Sequence, residues 1–330
     1  MTVRVGLVGC GAIARRAHLP AFKKAGTVDV VAFASRTRAS AEAASQEWGG
    51  GEVHDDWREL VERTDIDAVD ICTINSLHAP VAVAAARSAK HVLVEKPMAC
   101  TVAEADDMVD AAAASGVVLM AAHNVRFAPP FTAARRAMER VGRPVGVRAA
   151  FGHAGPKGWA PESTWFFVPE LAGGGALIDL GIHMIDTLRY VLGDEIVEVG
   201  ALLLPGADGE VEQAAQVVLR FGGGAIGSLH ASWAARPGPD HQLTVFGTDG
   251  TLHLDGRTPL TLVPAGGGKP EPVDLEPAAS PYAAFADAVA GGVPPPVTGE
   301  DGRAAVAVVE AAYQSARSGS FVAVQPPRRL

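Results

Sequence analysis

Short apolar runs rich in β-branched residues alternate with Ala-rich stretches through the first third of the chain. Strands are predicted over 3–8, 28–34, 68–71, 91–94 and 117–121, with helices over 12–25, 38–48, 79–89 and 102–115 between them. Near-continuous apolar strands separated by helices are the pattern of a parallel sheet covered on both faces. Thr101 with Glu104 reads as a capping box opening the fourth helix. After a helical connection over 128–141 the texture changes. Longer strands with alternating apolar and polar positions, punctuated by Gly and Pro, are predicted over 144–152, 196–204, 213–221, 225–233, 241–247 and 251–254. Such alternation belongs to an open antiparallel sheet. A long helix over 175–192, stopped by Gly193, interrupts these strands. The segment 264–280 reads as loop, and a final helix over 301–318 has Thr298 as its cap and Gly319 as its stop.

The expected architecture is an α/β, doubly wound Rossmann domain over 1–123, followed by an α+β domain over 124–330 with a large open, mainly antiparallel sheet. The last helix is a candidate to pack back on the first domain. A length of 330 residues, 48% of them apolar, suits two cores. The longest uncharged apolar stretch, 111–122, falls short of the roughly 18 residues of a membrane span. With no secretory pattern at Met1-Thr2-Val3-Arg4, a cytoplasmic location is expected. Cys10, Cys72 and Cys100 have no CxxC spacing and make no disulfide framework. A net charge of -9, with only the pairs Arg135-Arg136 and Arg328-Arg329 as basic clusters, argues against a nucleic-acid partner.

The first strand runs straight into Gly9-Cys10-Gly11-Ala12-Ile13-Ala14, a GxGxxA between a strand and a helix. Gly9 permits the tight turn, and Gly11 lets the backbone of Gly11, Ala12 and Ile13 approach a pyrophosphate. Ala14 keeps the helix close to the strand. A nicotinamide dinucleotide is the expected cofactor. Where an NAD site places a carboxylate, the second strand ends in Ala34-Ser35-Arg36-Thr37-Arg38. Ser35, Arg36 and Arg38 suit a 2′-phosphate, so NADP is preferred, with NAD the alternative. The competing assignment stacks Arg36 on the adenine ring and leaves Arg38 solvated.

Lys96 follows the 91–94 strand at its carboxyl end, where open α/β sheets place ligands, and Pro97 fixes the chain there. A lysine there can hold an alcohol oxygen as hydride leaves carbon; a surface ion pair with Glu95 is the plainer role. Asp179 and His183, spaced i, i+4, share one helix face and suit a proton relay. An acid at a helix N-terminus plus a core histidine would give the same pattern.

The early GxGxxA, Thr73-Ile74-Asn75-Ser76-Leu77-His78, Glu95-Lys96-Pro97, Asn124-Val125-Arg126-Phe127 and Gly173-Gly174-Gly175-Ala176-Leu177-Ile178-Asp179-Leu180-Gly181-Ile182-His183 occur in that order. Through these motifs nearly the whole chain resembles the Gfo/Idh/MocA oxidoreductases, named for glucose-fructose oxidoreductase and inositol dehydrogenase. The resemblance implies NAD(P)-dependent hydride transfer at a hydroxyl or keto carbon of a sugar, inositol or sugar derivative. It implies Lys96, Asp179 and His183 as catalytic set, His183 being the general base and Asp179 a second substrate contact. It also implies Thr73, Asn75 and His78 near the nicotinamide ribose, with Glu95 at the same end of the cofactor. Asn124 and Arg126 either meet substrate or tie the domains together, and Trp165 either walls the substrate cleft or packs an interface. His153, Lys157 and Trp159 in the 152–167 loop, with His230, Trp233 and Arg236, are further pocket candidates.

A metal at Asp179, His183 and Asp186 is not expected, because hydride transfer with a lysine at hand needs no Lewis acid. Two rival functions share the scaffold. A redox-neutral NAD-dependent glycosidase is disfavoured by the missing carboxylate after the second strand, and a non-catalytic NADP-sensing regulator by intact Lys96, Asp179 and His183. No membrane partner is expected, and apolar alternation on both sides of the second sheet predicts a homodimer or homotetramer through that sheet.

Overall fold

The computed structural model describes residues 2–206, 210–235, 238, 240–256 and 258–326. Arg236 and the pair Arg328-Arg329 lie outside the described residues. The chain divides into two compact units, Met1–His123 with Ala279–Arg303, and Asn124–Ala278 with Ala304–Leu330. Segment 279–303, assigned from sequence to the second domain, is therefore counted with the first. Its helix Pro281–Gly291, absent from the sequence-based elements, is capped by the Ser280 hydroxyl accepting from the Ala283 N–H. The helix buries Tyr282 and Phe285, and the Tyr282 ring lies edge-on to Phe22 at 5.6 Å. The unit boundary falls inside the last helix, Gly299–Ser318, and its early residue Arg303 bonds Asp106 at 3.0 Å within the first unit.

The first unit is built on a six-stranded sheet of β1 (Val3–Val8), β2 (Val28–Ala34), β3 (Glu52–His54), β4 (Ala68–Ile71), β5 (His91–Val94) and β6 (Leu119–Ala121). Their order is β3-β2-β1-β4-β5-β6 and every neighbouring pair is parallel. The direction of winding reverses between β1 and β4, and a crevice for ligands opens beyond the carboxyl ends at such a point. The capping box at Thr101 and Glu104 is formed as expected. The helix expected over 12–25 contains a π-helical turn, Ala14–His18, before the α-helix Leu19–Ala25.

The second unit holds a nine-stranded sheet of β7 (Pro144–Gly152), β8 (Ile196–Leu204), β9 (Ala214–Phe221), β10 (Ile226–Ser232), β11 (Gln242–Gly247), β12 (Gly250–Leu254), β13 (Thr261–Pro264), β14 (Glu271–Pro272) and β15 (Val322–Ala323). The order is β14-β13-β12-β11-β7-β10-β9-β8-β15, antiparallel throughout except for the parallel pair β7 and β10. One face packs on the helical run after the triple glycine, with Ala231 of β10 in a cluster with Ala176, Leu180 and Trp233. Side chains alternate along a strand, so His230, between buried Leu229 and Ala231, stands on the opposite face. That position removes it from the pocket candidates. The run Pro169–Leu192 is long and apolar enough to cross a membrane, but its most apolar window is 83% buried within the protein, as a core helix is.

Candidate active site

The glycine turn is shaped by close backbone approach. Gly9 has φ +95°, and a Cβ added there would lie 2.5 Å from the main chain of Cys72 and Thr73 beyond β4. Only glycine fits. A Cβ added at Gly11 would meet nothing within 4 Å, so open space borders the turn. No side chain caps the start of the following π-helical turn at Ile13. Ala14 is buried, while Ala12 and Ile13 are half-buried. This is a cradle that fits a pyrophosphate. Cys10 is a core thiol, pushed up to about 12 by burial.

At the end of β2 the two arginines differ. Arg38 donates from Nε to Glu42 at 3.0 Å and from Nη1 to Asp55 at 2.9 Å, which fills its fork with carboxylates. Arg36 is exposed and has no ion pair among the described residues, and Ser35 beside it is half-buried. Of the three residues expected to read a 2′-phosphate, Ser35 and Arg36 keep their polar atoms available.

Lys96 lies just past β5, joined to Pro97 by a cis peptide bond. Its main-chain N–H donates to Glu95 Oε2 at 3.0 Å. On its other side the Pro97 carbonyl is 2.7 Å from His78 Nδ1, and His78 Nε2 is 3.2 Å from the Thr73 carbonyl. Burial lowers the His78 pKa, so the neutral ring donates once, to the nearer Pro97 oxygen. The motifs around Thr73 and Lys96 thus meet in a shared bond. His78 and Glu95, expected at the cofactor, are both buried and hold the backbone on either side of Lys96. Asn75 is buried in a one-turn 3-10 helix, Asn75–Leu77, ahead of them. The second Glu95 oxygen, Oε1, lies 2.8 Å from Nε2 of His18, a residue outside the motifs read from the sequence.

In the second unit the glycine-rich motif closes on Glu212. A Cβ on Gly175 would sit 1.9 Å from the Glu212 carbonyl oxygen. The buried Glu212 carboxylate accepts from the Gly175 N–H at 2.8 Å, the Leu177 N–H at 2.9 Å and the Tyr313 hydroxyl at 2.9 Å. It supplies from a distant part of the chain the cap that the helix lacks locally. Burial raises the Glu212 pKa, and burial together with the Glu212 charge raises that of Tyr313.

The helix then begins with a π-helical turn, Leu177–Gly181, which carries Asp179, and continues as the α-helix Ile182–Leu192, which carries His183 as its second residue. π-turns of this kind recur at functional sites. Asp179 and His183 are both buried. Asp179 Oδ2 accepts from the Trp233 indole N–H at 3.0 Å, so Trp233 orients this carboxylate rather than simply walling a pocket. The Phe151 ring stands edge-on to His183 at 6.0 Å and stacks on His241 at 3.8 Å.

Arg126 is committed elsewhere. Its Nε donates to Asp186 Oδ2 at 2.9 Å, with a second bond from Nη2 to Oδ1, and the guanidinium lies 5.2 Å from the Tyr190 ring. A buried bidentate pair leaves no fork for substrate, so Arg126 is a tie within the second unit, and Asp186 is no free metal ligand. Asn124 differs, its Oδ1 being buried without a hydrogen-bond partner among the described residues. Trp165 is half-buried and stacked on Phe166 at 3.8 Å, with Trp159 edge-on to the same ring at 5.2 Å. Lys157 lies 5.0 Å over Phe167, and His153 accepts the Gly155 N–H at 2.9 Å.

Comparison with known proteins identifies the family. The oxidoreductase family with an NAD-binding Rossmann fold matches residues 3–123, and the GFO/IDH/MocA C-terminal domain matches residues 131–253. The chain is 34% identical to 1,5-anhydro-D-fructose reductase of Ensifer adhaerens, over 98% of each chain. It is 30% identical to myo-inositol 2-dehydrogenase of Thermotoga maritima, over 95% of this chain and 96% of that one. Levoglucosan dehydrogenase, solved in complex with NADH and levoglucosan, superposes with a TM-score of 0.88 at 28% identity, covering 99% of this chain and 100% of its own. The chain belongs to the GFO/IDH/MocA family of NAD-binding oxidoreductases.

Proposed function

We propose that this oxidoreductase moves hydride between a nicotinamide dinucleotide and a hydroxyl or keto carbon of a sugar or cyclitol. The observation that carries the reading is Lys96, held at the carboxyl end of β5 by main-chain bonds through Glu95 on one side and His78 on the other. Relatives named for 1,5-anhydro-D-fructose, myo-inositol and levoglucosan support the substrate class. When bound, the dinucleotide supplies the hydride acceptor or donor. Gly9, Gly11, Ala12 and Ile13 would hold its pyrophosphate, and Ser35 with Arg36 would read the 2′ position, favouring NADP.

The chain's own groups do the rest. The Lys96 ammonium stabilises negative charge growing on the substrate oxygen, and His183 exchanges the hydroxyl proton as general base or acid. Asp179, fixed by Trp233, accepts from a neighbouring hydroxyl. The unmet Asn124 oxygen is suited to accept from another, because a buried acceptor without a donor favours a ligand that brings one. A polyol offers that series of donors. Lys96→Ala and His183→Ala should each lower turnover by roughly 10²–10⁴ while dinucleotide affinity is retained. Near-normal turnover in either variant contradicts the role given to that residue. The apolar outer face of the second sheet is proposed to be covered by a second copy of the chain.

A further inference from the structure

The hydride chemistry above makes no use of a buried polar cluster in the first unit. His18 ends the π-helical turn that follows the glycine turn, and it is fully buried, as is Asp70 of β4. His18 Nδ1 lies 2.9 Å and 3.0 Å from the two Asp70 oxygens, and Nε2 lies 2.8 Å from Glu95 Oε1. Ionised carboxylates only accept, so with a carboxylate at each nitrogen the ring donates from both and is an imidazolium. Burial opposes that charge, but Asp70 and the other polar groups around the ring outweigh it and raise the His18 pKa. Glu95 is likewise held below its ordinary range by His18 despite its burial. Cys72 Sγ, 3.3 Å from Nδ1, and the Tyr282 ring, 4.6 Å from the imidazole, complete the surroundings, and burial keeps both groups protonated.

Apolar side chains of similar volume would fill this space at less electrostatic cost, so the cluster calls for a role in geometry. Asp70, His18, Glu95 and the Lys96 N–H form an unbroken hydrogen-bonded series from the helix of the glycine turn to the base of the lysine.

We propose that His18 is a positioning residue for Lys96, clamping the Glu95 carboxylate between Asp70 and the Lys96 main chain so that the lysine keeps a fixed place relative to the glycine turn. The proposal rests on the reading of Lys96 as the residue that stabilises the substrate oxygen. A metal ion is the competing use of the cluster, because ligand atoms of His18, Asp70 and Cys72 lie within 4.8 Å of one another. The position such an ion would need is taken, since Nδ1 already bonds both Asp70 oxygens.

His18→Gln keeps a donor but loses the charge and the second donor nitrogen. Displacing a catalytic group by about 1 Å costs around 10²-fold in rate, so kcat should fall by that order while KM for the dinucleotide stays unchanged. Asp70→Asn added to His18→Gln restores the net charge of the cluster and should recover kcat about tenfold. A fall in kcat without a change in KM, partly restored by the second substitution, is not what a purely stabilising core residue produces. If His18→Gln keeps wild-type kcat and only lowers Tm, the proposal is overturned. If it does not fold, the charge-balanced double variant carries the readout, and wild-type kcat there overturns the proposal equally. Stoichiometric metal in the purified protein, lost on His18→Gln, also overturns it. Lys96→Ala measured alongside separates the two claims: turnover surviving in that variant removes the role of Lys96 itself, whatever His18 does.

Discussion

Arg36 and Arg38 are two positions apart and chemically identical, yet the fold gives them different work. The Arg38 guanidinium is bonded to Glu42 and Asp55, whereas Arg36 faces solvent. Arg36→Ala should therefore lower kcat/KM with NADP by about tenfold or more, with little effect on NAD, and Arg38→Ala should change neither. An equal loss with both cofactors would mean that Arg36 stacks on the adenine instead. The same contrast shows what a sequence conveys at this scale. Gly9, Gly11, Lys96, Asp179 and His183 are legible as candidates because each sits in a short motif whose chemistry depends on local spacing. His18 and Glu212 are not, since their partners are remote: His18 meets Asp70 and Glu95 across 52 and 77 residues, and Glu212 meets Tyr313 across 101. Arg126 and His78 were legible as polar residues in the right motifs, but not for the direction in which their side chains point.

At the scale of elements, the helix bearing Asp179 and His183 starts without a local side-chain cap and depends on Glu212 for it. Tyr313→Phe removes one of three donors to that carboxylate and leaves both helix N–H bonds in place. The expected cost is about 1 kcal/mol, read as a Tm lowered by roughly 2–4 °C, with kcat little changed. A variant as stable as the wild type would show that the Tyr313 bond adds nothing. Most strands of both sheets could be read from periodicity, because all of these but β6 bury one or both faces over four residues or more. β3, β13, β14 and β15 could not, since two to four residues carry too little period. The parallel pairing of β7 with β10 was equally hidden, because alternation reports a strand's faces and not its neighbour's direction. Helix Pro281–Gly291 was lost beside a Gly- and Pro-rich stretch that reads as loop.

At the scale of the whole molecule, the division at residue 123 coincides with the change of texture in the sequence, but the return of 279–303 to the first unit does not show there. That return rests on packing, with Tyr282 against His18 and Phe22, which no local pattern records. The outer face of the second sheet exposes Leu202 (77%), Ile226 (58%), Leu204 (53%) and Val218 (45%) on adjacent strands β8, β9 and β10. Exposed apolar side chains gathered on one sheet face, among polar neighbours such as Gln216 and Arg220, suit cover by a second copy about a two-fold axis. Light scattering should give a dimer or tetramer for the wild type and a smaller species for Leu202→Asp; a monomeric wild type would contradict the self-association. Hydride transfer to a sugar or cyclitol carbon with Lys96 at the substrate oxygen is open to a deuterium-transfer experiment. Reduced cofactor deuterated at nicotinamide C4 is incubated with a panel of keto sugars and inosose-type ketones, and the products are read by mass spectrometry and NMR. Deuterium at the new carbinol carbon with the wild type, and its loss with a Lys96→Ala enzyme that still binds the dinucleotide, is the predicted result. No label in any product, or undiminished transfer by Lys96→Ala, would contradict the account.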